Sequence, residues 1–358
     1  MSIFAGMNLS DKIYSGDDGW SHLQVLIREY RNPGIFILVD ENTVSHCLPV
    51  LMTKCAGLEE AKVIEIKSGE ANKTIAGVEN VWQMLSSGRA MRNSLLICLG
   101  GGVITDIGGF AAATFKRGMD FIHLPTTLLA MVDASLGGKT GINLHSVKNQ
   151  VGVFAQAKSV FIFTEFLATL PARQKLSGFA EMLKHALIDS RQHFEDLMAL
   201  DSPEQACTEL MILRSAAVKI QVVNQDPSEG GIRKVLNFGH TIGHAVEAYS
   251  QQNDAEPLSH GEAVAIGLVC ESLISVSLLG MDENDFSLLT ELVVRHYPHY
   301  SLPARSADEL LVLMGHDKKN TDSSRLNFSL ISNIGEPVYD QLPGEKLIRE
   351  SLHYYVNL

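Results

Sequence analysis

The sequence predicts an α/β domain followed by a mainly helical domain. Through the first half of the chain, short continuous apolar runs alternate with amphipathic stretches. This alternation is typical of a parallel sheet covered by helices. After about Pro171 the pattern changes to long helical stretches. We therefore expect domains at residues 1–172 and 173–358, and a chain of 358 residues is long enough for two.

The individual elements follow in chain order. Five apolar runs predict the strands of the first domain: Ile35–Asp40, Lys62–Ile66, 94–99, 121–124 and 159–163. An amphipathic stretch at 72–85 predicts a helix between them. In the second domain the predicted helices are 175–190, 203–223, 237–250, 261–279 and 286–295. The alternating stretch 325–332 predicts a strand in that domain.

Composition excludes several classes of protein. With 29 basic and 41 acidic residues the formal charge is −12, and a diffuse negative field repels nucleic acid. A local cluster of lysines and arginines could still bind a small anion.

The five cysteines are scattered without a C-x-x-C pair, which favours a reducing compartment. The N-terminus lacks a secretory pattern, and the apolar run 263–270 is short of the roughly 18–20 residues that span a bilayer. We expect a cytoplasmic protein without a membrane segment.

A triple glycine follows the third predicted strand. Gly100, Gly101 and Gly102 open a helical pattern, and a glycine turn at a helix N-terminus lets the backbone approach a pyrophosphate. The spacing G-x-G-x-x-G fails, however, because Thr105 occupies the sixth position. A nucleotide site and a plain tight turn both remain open from the residues alone.

A second glycine pair precedes Lys139. The run Gly137-Gly138-Lys139-Thr140 resembles the end of a Walker A loop, but Asp133 stands where that motif needs a glycine. We reject an ATPase. A glycine turn with a solvated lysine remains as the ordinary interpretation.

Three histidines and one glutamate are candidate metal ligands. His240 and His244 are four residues apart and share a face of a predicted helix. His260 opens the next helix, and Glu181 lies on an otherwise apolar one. Histidine and carboxylate ligands with one open position are typical of catalytic zinc. Spacing selects neither the third ligand nor the role of His244, and a structural or exposed histidine pair is an alternative.

A set of cations falls near glycine turns or inside apolar stretches: Lys139, Lys148, Lys184, Lys219, Arg233, Lys318 and Lys319. Each alone is consistent with a solvated surface charge. Because buried cations need anions, a convergent set would indicate a substrate that carries phosphate and carboxylate groups.

Together, these motifs resemble those of 3-dehydroquinate synthases, over roughly residues 40–335. The resemblance covers Gly100-Gly101-Gly102-x-x-x-Asp106-x-Gly108-Gly109-Phe110, Arg117-Gly118-Met119-Asp120-Phe121, 124–133 (LPTTLLAMVD), 137–143 (GGKTGIN), Lys148-Asn149, Ala180-Glu181-x-x-Lys184, 226–240 (DPSEGGIRKVLNFGH), His260-Gly261-Glu262 and Asp317-Lys318-Lys319. So many ordered matches are specific to sugar-phosphate cyclases, and somewhat less specific to dehydroquinate synthase among them.

The resemblance implies two cofactors, NAD and a divalent metal, either zinc or cobalt. It makes the first domain a Rossmann-like nucleotide-binding domain and the second a metal- and substrate-binding domain. The implied metal ligands are Glu181, His240 and His260, with His244 contacting substrate instead. The implied NAD-binding residues are Asp40, Asn42, Glu70, Lys73, Gly101, Gly102, Val103, Asp106, Thr126, Thr127, Lys148, Phe166 and Thr169. Asp40 ends a strand and suits a ribose hydroxyl, which favours NAD over NADP.

The chain departs from the family pattern at Gln174, where the family often has an acid after the Leu-Pro-x-Arg turn. The departure affects one cofactor contact and not the activity, because glutamine still forms hydrogen bonds.

The implied substrate is 3-deoxy-D-arabino-heptulosonate 7-phosphate, a sugar phosphate of the shikimate pathway. Transient oxidation by NAD⁺ at carbon 5 would permit phosphate elimination, and reduction, ring opening and an aldol step would then close the carbocycle. Phosphate would be held by Lys139, Asn149, Asn237, His244 and one of Lys318 and Lys319. Carboxylate and ring hydroxyls would be held by Lys219 and Arg233, and hydroxyls near the metal by Asp133 and Lys184. Arg117 is expected to reach a neighbouring site across a homodimer.

Three alternatives differ in their requirements. Another sugar-phosphate cyclase, such as a 2-epi-5-epi-valiolone synthase, would use a substrate without a carboxylate and would not need Lys219 and Arg233. A metal-dependent polyol dehydrogenase would release NADH and would not need Lys139 and Asn149. A non-catalytic relative would have lost a metal ligand, and none is lost.

Overall fold

A computed structural model describes residues 12–32, 34–144, 147–303, 306–315 and 326–358. These residues form two compact units. The first unit contains the chain up to Pro171 together with Cys207–Ile220, and the second contains Ala172–Ala206 and the chain from Gln221. The first unit is built on parallel strands with helices, and the second is mainly helical. The predicted fold class is therefore confirmed.

A parallel sheet organises the first unit. The strands of this unit are β1 (Ile13–Ser15), β2 (Ile35–Asp40), β3 (Lys62–Ile66), β4 (Leu95–Gly100), β5 (Asp120–Pro125), β6 (Lys139–Leu144), β7 (Val147–Phe154) and β8 (Val160–Ile162). Among them, the order in the main sheet is β1-β8-β5-β4-β2-β3, and every neighbouring pair is parallel. β6 and β7 form a separate antiparallel hairpin.

The order in which the chain adds strands to the sheet reverses between β2 and β4. The chain runs from β2 outward to β3, and then returns to place β4 on the other side of β2. Ligands of open α/β sheets bind outside the carboxyl ends of the strands at such a point. Asp40 ends β2 and Gly100 ends β4, and the register pairs Leu38 with Cys98. The two strand ends therefore lie side by side.

Helices cover the sheet and fill the second unit. They are α1 (Gly16–Glu29), α2 (Glu41–His46), α3 (Leu48–Lys54), α4 (Ile75–Ser87), α5 (Gly102–Thr114), α6 (Ala172–Asp189), α7 (Arg191–Met198), α8 (Glu209–Gln225), α9 (His240–Asn253), α10 (His260–Leu279), α11 (Glu283–His296), α12 (Ser306–Gly315) and α13 (Glu345–Val356). The second unit also has an antiparallel pair, β9 (Phe328–Asn333) and β10 (Glu336–Gln341).

The packing of α5 against the sheet depends on a glycine. A Cβ at Gly108 would lie only 2.3 Å from Sγ of Cys98 on β4, so a larger residue would push the helix away. Gly108 thus sets how closely α5 approaches β4. α5 starts at Gly102, two residues after β4 ends at Gly100.

Helix α10 is the core helix of the second unit. It has 20 residues and is apolar enough to cross a membrane by length and composition, yet 72% of its apolar window is buried inside the protein. Its neighbours are α6, α9, α11 and α13. Ser259 and Glu262 form a capping box at its N-terminus, which fixes the position of His260 as its first residue.

The predicted elements match closely in the core. The strands Ile35–Asp40 and Lys62–Ile66 were predicted with their observed bounds, and the other sheet strands differ by one or two residues. The single helix predicted at 203–223 is wrong, because a 3₁₀ turn, Pro203–Ala206, is separated from α8. The hairpin β6–β7, β1 and β10 were not predicted.

Candidate functional site

Three side chains of the second unit converge on one carboxylate oxygen. Nε2 of His240 and Nε2 of His260 each lie 3.2 Å from Oε1 of Glu181. Glu181 comes from α6, His240 begins α9 and His260 begins α10. The Glu181 side chain is fully buried, so its charge must be compensated by neighbouring groups.

The other ring nitrogens of the two histidines are already engaged. Nδ1 of His240 lies 3.1 Å from the carbonyl oxygen of Phe238, and Nδ1 of His260 lies 3.3 Å from Oε2 of Glu247. An oxygen acceptor at Nδ1 selects the tautomer whose Nε2 carries a lone pair. With a metal bound, this tautomer would direct the Nε2 lone pairs of both rings toward the same point.

Lys184 supplies the nearest cation to Glu181. Its ammonium contacts Oε2 of Glu181 one helical turn along α6, and its side chain is only 1% exposed. Burial by itself raises the pKa of Glu181, but Lys184 and then His240 outweigh it and hold that pKa well below its ordinary value. Burial lowers the pKa of His240 to about 4 despite the nearby Glu181 carboxylate. Near pH 7 the Glu181 carboxyl group is therefore an anion and the His240 imidazole is neutral.

The donor set fits a tetrahedral divalent metal. The ligand atoms of Glu181, His240 and His260 all lie within 4.8 Å of one another. Metal–ligand bonds of about 2.0–2.1 Å give a tetrahedral edge of about 3.3 Å, and the two histidine–carboxylate separations are 3.2 Å. Three protein ligands of this kind leave a fourth position open. The chemistry and spacing of these side chains thus suit catalytic zinc or cobalt.

His244 lies beside this centre on α9. Its ring centroid is 5.1 Å from that of His240 and 5.8 Å from that of His260. Its ligand atom also falls in a second group with Glu247 and His260. His244 is therefore placed near the candidate ligands, while Glu181 supplies the third ligand atom of the group that contains both His240 and His260.

In the first unit, Asp40 and the glycine turn flank the switch point of the sheet. Oδ1 of Asp40 accepts hydrogen bonds from the backbone N–H groups of Asn42 and Thr43, so the carboxylate caps α2. Helix α5 starts at Gly102 with no side-chain cap among the described residues. Its first N–H groups and partial positive charge are available to an anion.

Thr126 and Thr127, which follow β5, contact the glycine turn at Gly100 and Gly101. The N–H of Thr126 donates to the carbonyl of Gly100 at 3.0 Å, which ties the end of β5 to the end of β4. A Cβ at Gly101 would lie 2.9 Å from Cγ2 of Thr127. Glycine is thus required at position 101 for the backbone to remain accessible.

Four polar residues predicted for cofactor or phosphate binding form one network. Nζ of Lys73 lies 2.5 Å from Oδ2 of Asp106 and donates to Oδ1 of Asn149 at 2.5 Å. Glu70 joins through Asn143, whose Nδ2 donates to Oε1 of Glu70 at 2.9 Å. Burial raises the pKa of Asp106 to about 6, against the opposing charge of Lys73. Residues far apart in sequence are brought together here.

The remaining predicted cofactor residues differ from one another in position and exposure. Val103 lies in the first turn of α5, and Lys148 lies on β7. Asn42 and Thr169 are exposed. The ring of Phe166 is buried against Trp20 and Phe163, so a cofactor contact at that position would use its backbone.

The predicted substrate residues fall in both units. In the first, Nζ of Lys219 lies 2.8 Å from Oδ1 of Asp133, which sits in a π-helical turn, Ala130–Ala134. Such turns are frequent at functional sites. Lys139 is exposed at the start of β6, where a P-loop lysine would open a helix; this supports the rejection of an ATPase. Arg117 is exposed with a left-handed backbone, φ 66°.

In the second unit Arg233 is 2% exposed, and its Nη1 donates to the carbonyl of Pro227 at 2.7 Å. Asp226 orders this loop by accepting the N–H groups of Gly230, Gly231 and Arg233. Asn237 follows the same turn and donates to Glu229 at 3.3 Å. Lys318 and Lys319 lie outside the described residues.

Sequence reasoning missed two buried carboxylates near the histidines. Glu247 contacts His260, and Glu271 accepts the N–H groups of Gly239 and Ile242 at the start of α9. Glu247 could have been found, because it lies three residues after His244 and shares a helix face with it. The position of Glu271 depends on how α10 packs against α9, and no local spacing reveals it.

Solved structures of similar fold cover nearly all of this chain. A 2-deoxy-scyllo-inosose synthase complexed with carbaglucose-6-phosphate, NAD⁺ and Co²⁺ matches with a TM-score of 0.81 and 25% identity, covering 97% of this chain and 98% of the other. ValA, a 2-epi-5-epi-valiolone synthase from Streptomyces hygroscopicus, also has a TM-score of 0.81, at 24% identity over 100% and 99%. A glycerol dehydrogenase from Schizosaccharomyces pombe has a TM-score of 0.65, at 15% identity over 97% and 89% of the two chains. The two cyclases match with higher TM-scores than the dehydrogenase does, so the fold is most similar, among these three, to that of sugar-phosphate cyclases.

Sequence comparisons narrow the class to one family. The family model "3-dehydroquinate synthase N-terminal" matches residues 63–177, and "3-dehydroquinate synthase C-terminal" matches residues 178–320. The 3-dehydroquinate synthase of Parabacteroides distasonis is 42% identical over 94% of this chain and 95% of its own. That of Dehalococcoides mccartyi is 36% identical over 97% and 95%. The chain belongs to the 3-dehydroquinate synthase family of enzymes.

Proposed function

We propose that the protein is a 3-dehydroquinate synthase, a carbon–oxygen lyase that converts 3-deoxy-D-arabino-heptulosonate 7-phosphate to 3-dehydroquinate and phosphate. The observation that carries this proposal is the convergence of Nε2 of His240 and Nε2 of His260 on the buried Glu181 carboxylate. The family in which it occurs acts on a phosphorylated substrate, and the chain has the cations that such a substrate requires.

The proposed cofactors are NAD and a divalent zinc or cobalt ion. When bound, NAD supplies reversible hydride transfer and the metal supplies Lewis acidity toward hydroxyl oxygens. Glu181, His240 and His260 would hold the metal. The 2-deoxy-scyllo-inosose synthase of similar fold is complexed with NAD⁺ and Co²⁺, which supports both assignments.

NAD would bind at the switch point of the sheet. The uncapped N-terminus of α5 would receive the pyrophosphate, with Gly101 and Gly102 allowing close approach. Asp40 would accept a ribose hydroxyl at the end of β2. The other assigned contacts remain part of this proposal: Asn42, Glu70, Lys73, Val103, Asp106, Thr126, Thr127, Lys148, Phe166 and Thr169.

The substrate would be held by charge and by hydrogen bonds. We assign its phosphate to Lys139, Asn149, Asn237, His244 and one of Lys318 and Lys319. Arg233 and Lys219 would bind its carboxylate and ring hydroxyls, since a guanidinium suits planar, bidentate recognition. Asp133 and Lys184 would bind hydroxyls. These side chains orient the substrate and stabilise developing charge.

We further infer a cytoplasmic homodimer in which Arg117 serves the neighbouring protomer. In this proposal residues 1–172 act as the NAD-binding domain and residues 173–358 as the metal- and substrate-binding domain. The negative net charge and the scattered cysteines support a cytoplasmic protein that does not bind nucleic acid.

Phosphate release tests the proposal directly. The purified, metal-loaded enzyme would receive 3-deoxy-D-arabino-heptulosonate 7-phosphate and catalytic NAD⁺, and absorbance at 340 nm would be followed in parallel. We expect phosphate far in excess of the NAD⁺ supplied, no accumulation of NADH, and loss of activity on chelation. Release only from sedoheptulose 7-phosphate or glucose 6-phosphate would indicate another cyclase. NADH accumulation without phosphate would indicate a dehydrogenase.

A further inference from the structure

The imidazole of His260 is held between two buried carboxylates. Its Nε2 lies 3.2 Å from Oε1 of Glu181, and its Nδ1 lies 3.3 Å from Oε2 of Glu247. Glu247 is 4% exposed and projects from α9, whereas His260 begins α10. The contact therefore joins the two helices that carry the histidines.

The two histidines differ in what their Nδ1 atoms contact. The acceptor for His240 is a neutral carbonyl, that of Phe238, and the acceptor for His260 is a carboxylate. A carboxylate polarises the Nδ1–H bond more strongly than a carbonyl does, and so raises the donor strength of the opposite Nε2. It also fixes the ring orientation, because charge-assisted hydrogen bonds are the stronger ones.

We propose that Glu247 is a positioning residue for the metal: it orients His260 and strengthens Nε2 of that ring as a ligand, without binding the ion itself. The inference rests on the proposed function, since it takes Glu181, His240 and His260 as the ligands. It adds a carboxylate–histidine–metal arrangement to that centre. His260 is more exposed than His240, with 28% against 10% of its side chain accessible, so its orientation depends more on this contact.

A direct role for Glu247 is the competing arrangement. Its carboxylate, His244 and His260 form a second group of possible ligands within 4.8 Å. In that arrangement Nδ1 of His260 would bind the ion. Glu181 and His240 would then not be ligands. The first group is favoured because both of its histidines present Nε2 to one oxygen at the separation of a tetrahedral edge.

Metal binding to the purified full-length protein, without substrate, tests the proposal. Zinc affinity would be measured by competition with a chromophoric chelator, and the visible absorption of the Co²⁺ form would report ligand field. The variants are Glu247→Ala, Glu247→Gln and Glu181→Gln, with Asp285→Asn as a control. Asp285 is a buried carboxylate of the same unit that pairs with Arg191 instead of with a histidine.

We expect Glu247→Ala to weaken zinc binding by about 10–100-fold. The Glu247→Gln variant, whose amide oxygen still accepts from Nδ1–H, should fall between Ala and wild type and keep the site measurable if the alanine variant does not fold. The Co²⁺ bands should shift in both, whereas Asp285→Asn should change neither affinity nor spectrum.

Two results would overturn the proposal. Unchanged zinc affinity in Glu247→Gln and Glu247→Ala would show that the contact has no effect on the metal. Complete loss of binding in Glu247→Gln, equal to that of Glu181→Gln, would make Glu247 a ligand. Because no turnover is measured, these results are independent of whether the enzyme cyclises the proposed substrate.

Discussion

At the residue scale, Glu181 combines a fully buried carboxylate with a cation that occupies its second oxygen. Lys184 contacts Oε2 of Glu181, and the two histidines face Oε1. When no metal is bound, the Lys184 ammonium compensates this charge together with His260, whose pKa rises to about 10 because Glu247 and Glu181 outweigh the effect of burial. Breaking a buried ion pair leaves an uncompensated charge, at a cost of about 3–5 kcal/mol. A divalent ion would supply the same compensation from the other side.

We therefore predict that Lys184→Met lowers the stability of the metal-free protein by about 3–5 kcal/mol and increases the stabilisation gained from zinc. The reason is that zinc would no longer be repelled by the ammonium and would neutralise the buried charge of Glu181 that the substitution leaves without its ammonium partner. Thermal unfolding with EDTA and with zinc measures both effects. Lys175→Met, on the same helix and partly exposed, is the control. Equal zinc stabilisation in Lys184→Met and wild type would contradict the argument.

His123 is a second buried ionisable residue, on β5 of the first unit. It is 4% exposed, and its Nδ1 has no hydrogen-bond partner among the described residues. Burial lowers the pKa of His123 to about 3 from the ordinary 6.5. A depressed histidine pKa gives stability that is fully present above pH 6.5 and is lost as pH falls toward 3, because the unfolded chain takes up the proton.

We predict that His123→Leu makes the protein less sensitive to acid. The loss in wild type approaches about 1.4 kcal/mol per pH unit below 6.5, so that at pH 5.0 the folded state has lost about 2 kcal/mol through this residue. Urea unfolding at pH 7.5 and 5.0 should show wild type losing that much more than the variant. His46→Leu, at an exposed position, should follow wild type. Parallel losses in wild type and His123→Leu would refute the role of the residue.

At the element scale, the N-terminus of α9 is capped from another helix. Gly239 precedes α9 in a left-handed conformation, φ 78°, and has no side chain to act as a cap. Glu271 of α10 replaces it: Oε2 accepts from the N–H of Gly239 at 2.7 Å and Oε1 from that of Ile242 at 2.9 Å. The carboxylate also faces the positive end of the helix dipole. One buried residue thus fixes the helix turn that carries His240.

We expect Glu271→Gln to destabilise the protein by about 3 kcal/mol, because the amide loses the charge and turns an NH₂ group toward a backbone donor. Differential scanning calorimetry should show a fall in Tm of about 5–10 °C. Glu291→Gln, which changes an exposed carboxylate on α11, should leave Tm unchanged. A Tm equal to that of wild type in Glu271→Gln would mean that the two backbone contacts contribute little.

Helix α5 shows the opposite arrangement, since no side chain among the described residues caps its N-terminus. A Cβ at Gly101 would lie 2.9 Å from Cγ2 of Thr127, so a larger residue would force the turn that precedes the helix to shift. We predict that Gly101→Val weakens NAD⁺ binding at least tenfold, or about 1.4 kcal/mol. Isothermal titration calorimetry of the metal-loaded protein measures this. Gly344→Val, at a helix start with open space around its Cβ, is the matched control. Unchanged NAD⁺ affinity in Gly101→Val would place the cofactor elsewhere.

The sequence predicted those elements whose burial is continuous. β2 and β4 are apolar at nearly every position because both faces of the sheet are covered, so that composition alone located them. The hairpin of β6 and β7 was not predicted from the sequence, because its apolar residues do not alternate cleanly with polar ones. Several of these apolar residues are exposed: Leu144, Val151, Val153 and Phe154. The break between Pro203–Ala206 and α8 was not predicted because Cys207 and Thr208, the two residues that separate them, include neither glycine nor proline.

At the scale of the whole molecule, the candidate site could be predicted only in part. Helical spacing related His240 to His244, but the partners of His240 around the proposed metal, Glu181 and His260, come from other helices. Family resemblance supplied that set, and the geometry of the second unit agrees with it. The contacts of Glu247 and Glu271 could not be inferred, because they arise from the packing of α9 against α10.

The proposed homodimer makes a prediction about complementation between protomers. Lys116 and Arg117 have positive φ values of 50° and 66°, and such strained non-glycine residues cluster at functional sites. We expect Arg117→Ala and Lys139→Ala each to inactivate the enzyme. If Arg117 acts in the neighbouring protomer, each mixed dimer regains one intact site, and an equimolar mixture that exchanges freely recovers about a quarter of wild-type activity. Mixing two preparations of one variant is the control. A mixture that stays inactive, although mass spectrometry shows mixed dimers, would place Arg117 and Lys139 in the site of the same protomer.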